Sequence, residues 1–327
     1  MILTERKVPF ELMYIRAFSR RAGMDSKDVR MLSVLEGGYE GELHYDRMLE
    51  AAGHDTLIVF RDIYVKRGDA VAQFDSIIID GNSVTVNEIK NYSGFYSYLD
   101  GQWFSGKFEV TEDAISQLKR AMGKLKKIRY ETKMNFDVRG KIIFPNLDLQ
   151  FDCDDERARS MVIMRNQLKE YLKSFMASGI SEQSKEIARV IYKRIIENPY
   201  FDKTADIDCL KRGLYCSSCG SFDLDIQKYY AYCMRCKGRE SKESHIIRSL
   251  SDFQALFRHD KMTRQKLQVL LGNQVGERML QRMLKKYCET FSTGVSIYYK
   301  FKYYDYDDAV NKEPRNSKYH LGLKHFK

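Results

Sequence analysis

Between residues 56 and 91 the chain leaves the helical spacing of its start for a two-residue alternation of apolar and polar positions. Side chains at i and i+2 share one face of a strand, so the pattern predicts strands over 56–65, 73–79 and 84–91. The four residues "DGNS" at 80–83 separate the last two, and Gly81-Asn82 suits a two-residue hairpin loop that needs positive φ. With Asp80 opposite Ser83, Ile79 meets Val84 and Ile77 meets Val86. Continued outward, the same register sets Asp75 opposite Glu88 and Gln73 opposite Lys90. One face of the hairpin is therefore apolar near the turn and ends in two acids, an amide and an ammonium. One reading is a solvated sheet edge whose diagonal Asp75 and Lys90 ion pair is worth well under ~1 kcal/mol. The other is a site: carboxylates directly opposite each other repel, and a hard cation such as Mg²⁺ between them removes the conflict.

Helical periodicity flanks these strands. Residues 1–34 are mostly helical in pattern and show no recognisable chemistry. Over 35–52, Tyr39, Glu42, Leu43, Asp46 and Leu49 share one helix face, a stripe made unusual by its acids. A hairpin around "YLDGQWF" holds the only tryptophan, Trp103, and a second helix is predicted over 112–130, with Ile115, Leu118, Met122 and Leu125 as its buried row and Gln117 beside it. A further strand falls at 141–144. The order α, three β, α, β predicts an α/β core without internal repeats. Residues 154–199 continue as polar helix and read as a connector.

Cysteines change the picture beyond residue 210. "CSSC" and "CMRC" place Cys216, Cys219, Cys233 and Cys236 in two pairs with thirteen residues between them, the spacing of a zinc ribbon in which two knuckles bind one tetrahedral Zn²⁺. Gly220 and Gly238 stand where the chain turns after each pair, and "GSFDLDIQKYYAY" supplies the hairpin strands. The other reading is two reduced CxxC pairs without metal, and a redox dithiol would be expected at a strand-to-helix junction in a βαβ setting. Cys153, Cys209 and Cys288 read as ordinary thiols.

After the ribbon come two or three short helices. Thr263 caps one that contains Leu267, Leu270 and Leu271 and ends at Gly272. In the next, Met279, Leu280, Met283, Leu284 and Tyr287 form an apolar stripe opposite Arg278, Arg282, Lys285 and Lys286. The pattern is helix-turn-helix-like, and the tail "SIYYKFKYYDYDD" suits a wing or hairpin with stacking surfaces. Charge agrees: the net formal charge is +10, and residues 227–327 hold 21 lysines and arginines against 10 acids. That asymmetry suits a polyanionic partner, although a solvated basic face would look the same. No run approaches ~18 apolar residues, and the first residues carry charges where a signal peptide needs an apolar core, so the expectation is a cytoplasmic protein without membrane contact.

The segments "GYEGELHYDRML", "QFDSIIIDGNSVTVNEIKNYSG" and "ISQLKRA" resemble, in order and spacing, the nuclease-related domain called NERD, a branch of the PD-(D/E)XK nuclease superfamily, over residues 35–145. The resemblance implies an α/β, restriction-endonuclease-like core in which Glu42, Asp75 and Glu88 bind Mg²⁺ or Mn²⁺. It further implies that Lys90 positions or activates the attacking water, and that Gln117 stands near the metal site. One departure is Ala121, where related RecB-like and Cas4-like nucleases carry a tyrosine four residues after the glutamine. The expected organisation is a NERD domain with an N-terminal helical extension over 1–150, a helical connector over 151–212, a zinc ribbon over 213–240 and a basic helix-turn-helix or winged-helix-like domain with its tyrosine-rich tail over 241–327. The function expected is a Mg²⁺-dependent nuclease acting on DNA before RNA, in defence or DNA processing, with structural Zn²⁺ in the ribbon. The alternative is a non-catalytic nucleic-acid-binding or regulatory protein that uses the nuclease-like domain as a scaffold. Self-association and a protein partner at the ribbon both stay open.

Overall fold

A computed structural model describes residues 1–177, 179–294 and 296–313. The chain forms two compact units, one of Met1–Pro9 with Ser33–Tyr200 and the other of Phe10–Leu32 with the residues from Phe201 onward. Two helices come first, α1 (Phe10–Arg21) and α2 (Ser26–Ala52). The predicted strands follow as β1 (Ile58–Arg67), β2 (Ala70–Asp80) and β3 (Ser83–Ile89), then the small strands β4 (Gly94–Leu99), β5 (Gln102–Ser105) and β6 (Phe108–Val110). Next are α3 (Ala114–Thr132), β7 (Asp137–Phe144) and β8 (Leu149–Cys153). The first unit closes with α4 (Glu156–Met161), β9 (Val162–Met164), α5 (Arg165–Lys173), α6 (Glu182–Tyr192) and β10 (Ile195–Ile196).

The first unit is built on a six-stranded sheet in the order β10-β1-β2-β3-β7-β9. Pairing is antiparallel from β10 to β3 and parallel from β3 through β9, because α3 returns the chain to the start of β7 as a crossover. Ile77, Ile79, Val84 and Val86 pack on Ile115, Leu118 and Leu125 of α3, while Val59, Ile78 and Ile89 pack on Tyr45 and Leu49 of α2 and on Leu168 and Leu172 of α5. A second sheet, β6-β5-β4-β8, carries Trp103, which is buried. Residues 154–196, read from sequence as a helical connector, belong to the first unit and add β9 and β10 to its main sheet. Runs as short as Val162-Ile163-Met164 are too brief to show a period.

The hairpin register predicted near the turn is observed, with Asp80 opposite Ser83, Ile79 opposite Val84 and Ile77 opposite Val86. The ladder ends at Ser76 and Asn87, so Asp75 and Glu88 are not a cross-strand pair. The cause lies on the other side of β2. Phe60 and Ile63 of β1 share one core, as do Ile77 and Phe74 of β2, although strict alternation would put residues three apart on opposite faces. The break falls at Asp62, which has φ 45° and is left out of the ladder between the pairs Arg61 with Ser76 and Ile63 with Phe74. Asp75 stands across from that break.

The second glycine of the "GYEGE" segment has a steric reason. A Cβ on Gly41 would lie 2.4 Å from Asn91 Cβ, so α2 approaches the residue after Lys90 closely, and Asn91 Nδ2 donates to the Gly37 carbonyl at 2.7 Å. Gly140 is similarly crowded by Leu118 and Met122 of α3.

The second unit begins with α1, whose Arg21 is fully buried and donates to Asp252 Oδ2 at 2.9 Å and to the Gly213 carbonyl at 3.1 Å. Its three-stranded sheet is β11 (Leu224–Ile226), β12 (Tyr230–Cys233) and β13 (Arg239–Ser241). Three helices follow, α7 (Lys242–Leu256), α8 (Arg264–Leu270) and α9 (Glu277–Tyr287), then the hairpin β14 (Cys288–Ser292) and β15 (Ile297–Phe301) and a last helix, α10 (Tyr306–Lys312). Met262, between α7 and α8, bridges Tyr299 of β15. Three helices and a hairpin with that bridge have the order of a winged helix. As predicted, Thr263 caps α8 and Gly272 has positive φ.

Replacing Gly41 by Ala should lower the stability of the first unit by roughly 1–3 kcal/mol through overpacking against Asn91. Gly38, in the same helix with nothing within 4 Å of its would-be Cβ, should accept Ala with no loss or a gain of up to ~1 kcal/mol. Denaturant unfolding of the two variants side by side checks the contrast.

Candidate active site

β3 leaves its ladder with β2 at Asn87, and its last residues are held instead by β7 and by buried polar groups. Glu88 and Ile89 pair with Ile142 and Ile143, and Lys90 N–H donates to the Ile143 carbonyl at 2.9 Å. Asn87, fully buried, donates to Tyr45 Oη of α2 at 2.9 Å and accepts from Tyr171 Oη of α5 at 2.5 Å. The backbone that carries Glu88 and Lys90 is thus fixed from both sides.

Asp75 turns its carboxylate toward that backbone, and Oδ2 accepts from the Ile89 N–H at 2.8 Å. Burial raises its pKa, while the Ile89 N–H, Lys90 and Arg6 work in the opposite direction. Glu88, with 12% of its side chain exposed, has Oε1 3.3 Å from Lys90 Nζ. Burial and then the Asp75 charge push Glu88 up to about 8, against the pull of Lys90. Burial likewise takes Glu42 up to about 8, with Arg6 opposing and Asp75 adding to the rise. Asp75 therefore acts on both glutamates, and the three acids form one electrostatic neighbourhood at the open end of the sheet. Burial also works against the Lys90 charge, but Glu88, Glu112 and Asp75 outweigh it and hold the ammonium above its usual range.

Sequence reasoning missed several of the groups here. Lys90 Nζ donates to Glu112 Oε1 at 2.8 Å, and Gln117 Nε2 donates to the same oxygen at 2.8 Å. Gln117 thus reaches the site through Glu112, and its own Oε1 is buried without a hydrogen-bond partner. The helix predicted to begin at Glu112 begins at Ala114, capped by Asp113, whose side chain accepts from Ser116 N–H. Glu112 is left just outside, free to face Lys90, and an acid directly before an Asp cap was the available signal. Gln73, expected opposite Lys90, pairs with Tyr64 across the break and donates to Asp62 Oδ1 at 3.2 Å. Arg6 corrects the view that residues 1–34 carry no chemistry. Its Nη1 lies 2.7 Å from Glu42 Oε2, its Nε 2.8 Å from Asp46 Oδ2, and its Nη2 2.8 Å from the Asp75 carbonyl.

The donor set of this end is of the hard-cation type: three carboxylates on two strands and a helix, all raised by burial and both glutamates also by Asp75. Among the described residues, however, the four cysteines are the one group of three or more potential ligands whose atoms all lie within 4.8 Å of one another. Cys216 Sγ lies 3.5 Å from Cys236 Sγ, and Cys219 Sγ 3.5 Å from Cys233 Sγ, near the ~3.8 Å edge of a tetrahedron with Zn–S bonds of about 2.3 Å. The first knuckle turns at Gly220 with φ 69°, as predicted, whereas in the second the positive φ falls on Lys237. Gly238 serves another need, since a Cβ there would sit 3.3 Å from Cys236 Sγ.

On α9, Arg278, Arg282 and Lys285 are exposed opposite the buried Leu280, Met283, Leu284 and Tyr287. Lys286, placed with them from sequence, is half-buried and pairs with Glu243 Oε1 at 3.0 Å, beside the Tyr287 hydroxyl on the same oxygen.

Residues 37–145 match the family of the nuclease-related domain, NERD. The matched stretch runs from α2 through β7 and holds Glu42, Asp75, Glu88, Lys90 and Gln117. No curated protein and no solved structure matches the chain. No helix among the described residues is long and apolar enough to cross a membrane.

Replacing Arg278, Arg282 and Lys285 together by Gln should leave the melting of the second unit unchanged within about 0.5 kcal/mol, as for ordinary surface sites. Lys286→Met should cost up to about 1 kcal/mol, because it strips Glu243 of its cation. Thermal melts of both variants separate exposed from structural charge.

Proposed function

We propose that the protein is a metal-dependent nuclease that hydrolyses phosphodiester bonds in DNA, with Mg²⁺ or Mn²⁺ at the end of its main sheet. The observation that carries this reading is the set of Asp75, Glu88 and Lys90, gathered at the end of β2 and β3 where burial raises both acids and Asp75 raises Glu88 further. When bound, a divalent ion there neutralises the scissile phosphate and brings the pKa of water toward neutrality. Asp75 and Glu88 supply oxygen donors from adjacent strands, and Glu42 supplies a third from α2. Lys90, kept as an ammonium between Glu88 and Glu112, donates to the attacking water or to the phosphate oxygen on which charge develops. A charged ammonium cannot take a proton, so Lys90 orients the water and stabilises charge, and it is not the base. Glu112 holds Lys90 from the helix side, and Gln117 holds Glu112.

In the second unit, Cys216, Cys219, Cys233 and Cys236 hold a structural Zn²⁺, and the exposed Arg278, Arg282 and Lys285 of α9 contact DNA phosphates. Structural zinc supplies folding free energy to small modules of this kind.

The test incubates purified protein with labelled linear and circular, single- and double-stranded DNA, and with RNA, with Mg²⁺, Mn²⁺ or EDTA. The expected outcome is metal-dependent cleavage of DNA that Asp75→Asn, Glu88→Gln and Lys90→Met each reduce by roughly 100-fold or more without changing the melt. The same preparation should carry one zinc per chain by elemental analysis. Unimpaired cutting by all three variants removes the assignment from this site. Wild-type protein that binds DNA and never cuts it would make the domain a scaffold.

A further inference from the structure

The NERD match begins at residue 37, yet the most completely buried cation at the acid end of the sheet comes from residue 6. Residues 2–4 run along the stretch of β1 at Val59 and Arg61 that lies ahead of its pairing with β10 at Tyr64 and Val65. Ile2 forms a parallel bridge with Val59, and Leu3 N–H donates to the Val59 carbonyl at 2.8 Å. Thr4 Oγ1 accepts from Arg61 N–H at 2.8 Å and donates to the Arg61 carbonyl at 3.0 Å. This edge pairing delivers Arg6 to the break in β1 and β2, and only 1% of its side chain remains exposed.

There the planar guanidinium makes three separate contacts. It joins Glu42 and Asp46, one helical turn apart on α2, to the carbonyl of Asp75 on β2. Three donors of one rigid group thus fix the distance between the helix that offers Glu42 and the strand that offers Asp75. A buried ion pair of this kind is weak ground for added stability, since desolvation offsets much of the attraction. Its geometry is better explained by position. Asp46 also faces Arg61, at 3.3 Å, so the helix side of the acid cluster is already supplied with fixed positive charge. The strand side, at Glu88, is met by Lys90, and Asp75 between them has Ile89 N–H.

We infer that Arg6 is a positioning residue of the proposed metal centre: its guanidinium stands beside Glu42 and Asp46 where a second cation would otherwise sit, so that the centre loads a single divalent ion. The inference rests on the metal-dependent reading above. It explains why an arginine outside the NERD match is buried against that domain's acids.

The experiment is a Mn²⁺ titration followed by electron paramagnetic resonance, on the full chain with its cysteine site loaded with zinc, for wild type, Arg6→Met and Arg6→Lys, each with a thermal melt. Wild type should bind one tight Mn²⁺ per chain. Arg6→Met should bind two, because Glu42 loses its fixed cation and Asp46 keeps Arg61 alone, and Arg6→Lys should return the count to one. Wild type with two tight ions overturns the inference even if Arg6→Met fails to fold. Arg6→Met that binds one ion while its melt falls also overturns it, and shows a merely structural arginine. Wild type with no tight ion overturns the metal reading itself, which separates that failure from the other two.

Discussion

Glu42, Asp75 and Glu88 bring unfavourable charge into a region from which water is largely removed, and much of the first unit is arranged around it. Asp75 raises the pKa of both glutamates, and burial raises all three. Isolated buried carboxylates would take up protons to escape this cost. Here the fold sets fixed cations on either side, Arg6 toward α2 and Lys90 toward Glu112, and a backbone N–H on Asp75, which oppose the rise in pKa without cancelling it. The polar layer of Tyr45, Asn87 and Tyr171 beneath holds the strand that carries Glu88. Such an arrangement is costly as packing and makes sense as chemistry, since perturbed acids beside a held ammonium are what a metal-assisted hydrolytic site requires.

The second unit solves a different problem with different means. A small sheet of three short strands offers little core of its own, and the four sulfurs that meet within 4.8 Å would supply, through a metal, the folding free energy that its apolar residues do not. Beside it, α7 through β15 have an apolar centre in Leu250, Phe253, Leu267, Leu280 and Leu284. Buried Arg21, Asp252 and Tyr215 form a polar layer in the same unit, with the Arg21 guanidinium 5.0 Å from the ring centroid of Tyr215.

What could be read from sequence was local. The hairpin of β2 and β3 follows from a period of two and a turn of two residues, and its register near Gly81 is observed as predicted. The cysteine spacing and the cap at Thr263 are equally short-range signals. Arg6 could not be seen this way: its partners Glu42, Asp46 and Asp75 lie 36 to 69 residues away, and a lone arginine in "LTERKVPF" has no period to mark it. Asp62 stayed hidden because a single left-handed residue inside a strand leaves the alternation intact on each side and changes only its phase. Glu112 and Lys286 failed for a related reason. Charge pattern assigned one to a helix start and the other to an open face, and tertiary partners, Lys90 and Glu243, decided otherwise.

A divalent cation between Asp75 and Glu88, at the acid end of the main sheet, is what the proposed hydrolysis requires. A crystal grown with Mn²⁺ and measured at wavelengths on both sides of the manganese absorption edge tests it directly. The expected result is an anomalous peak bonded to carboxylate oxygens of Asp75 and Glu88, with Arg6 still on Glu42 and Asp46. Manganese elsewhere in the chain, with Asp75 and Glu88 left bare at full loading, would contradict it.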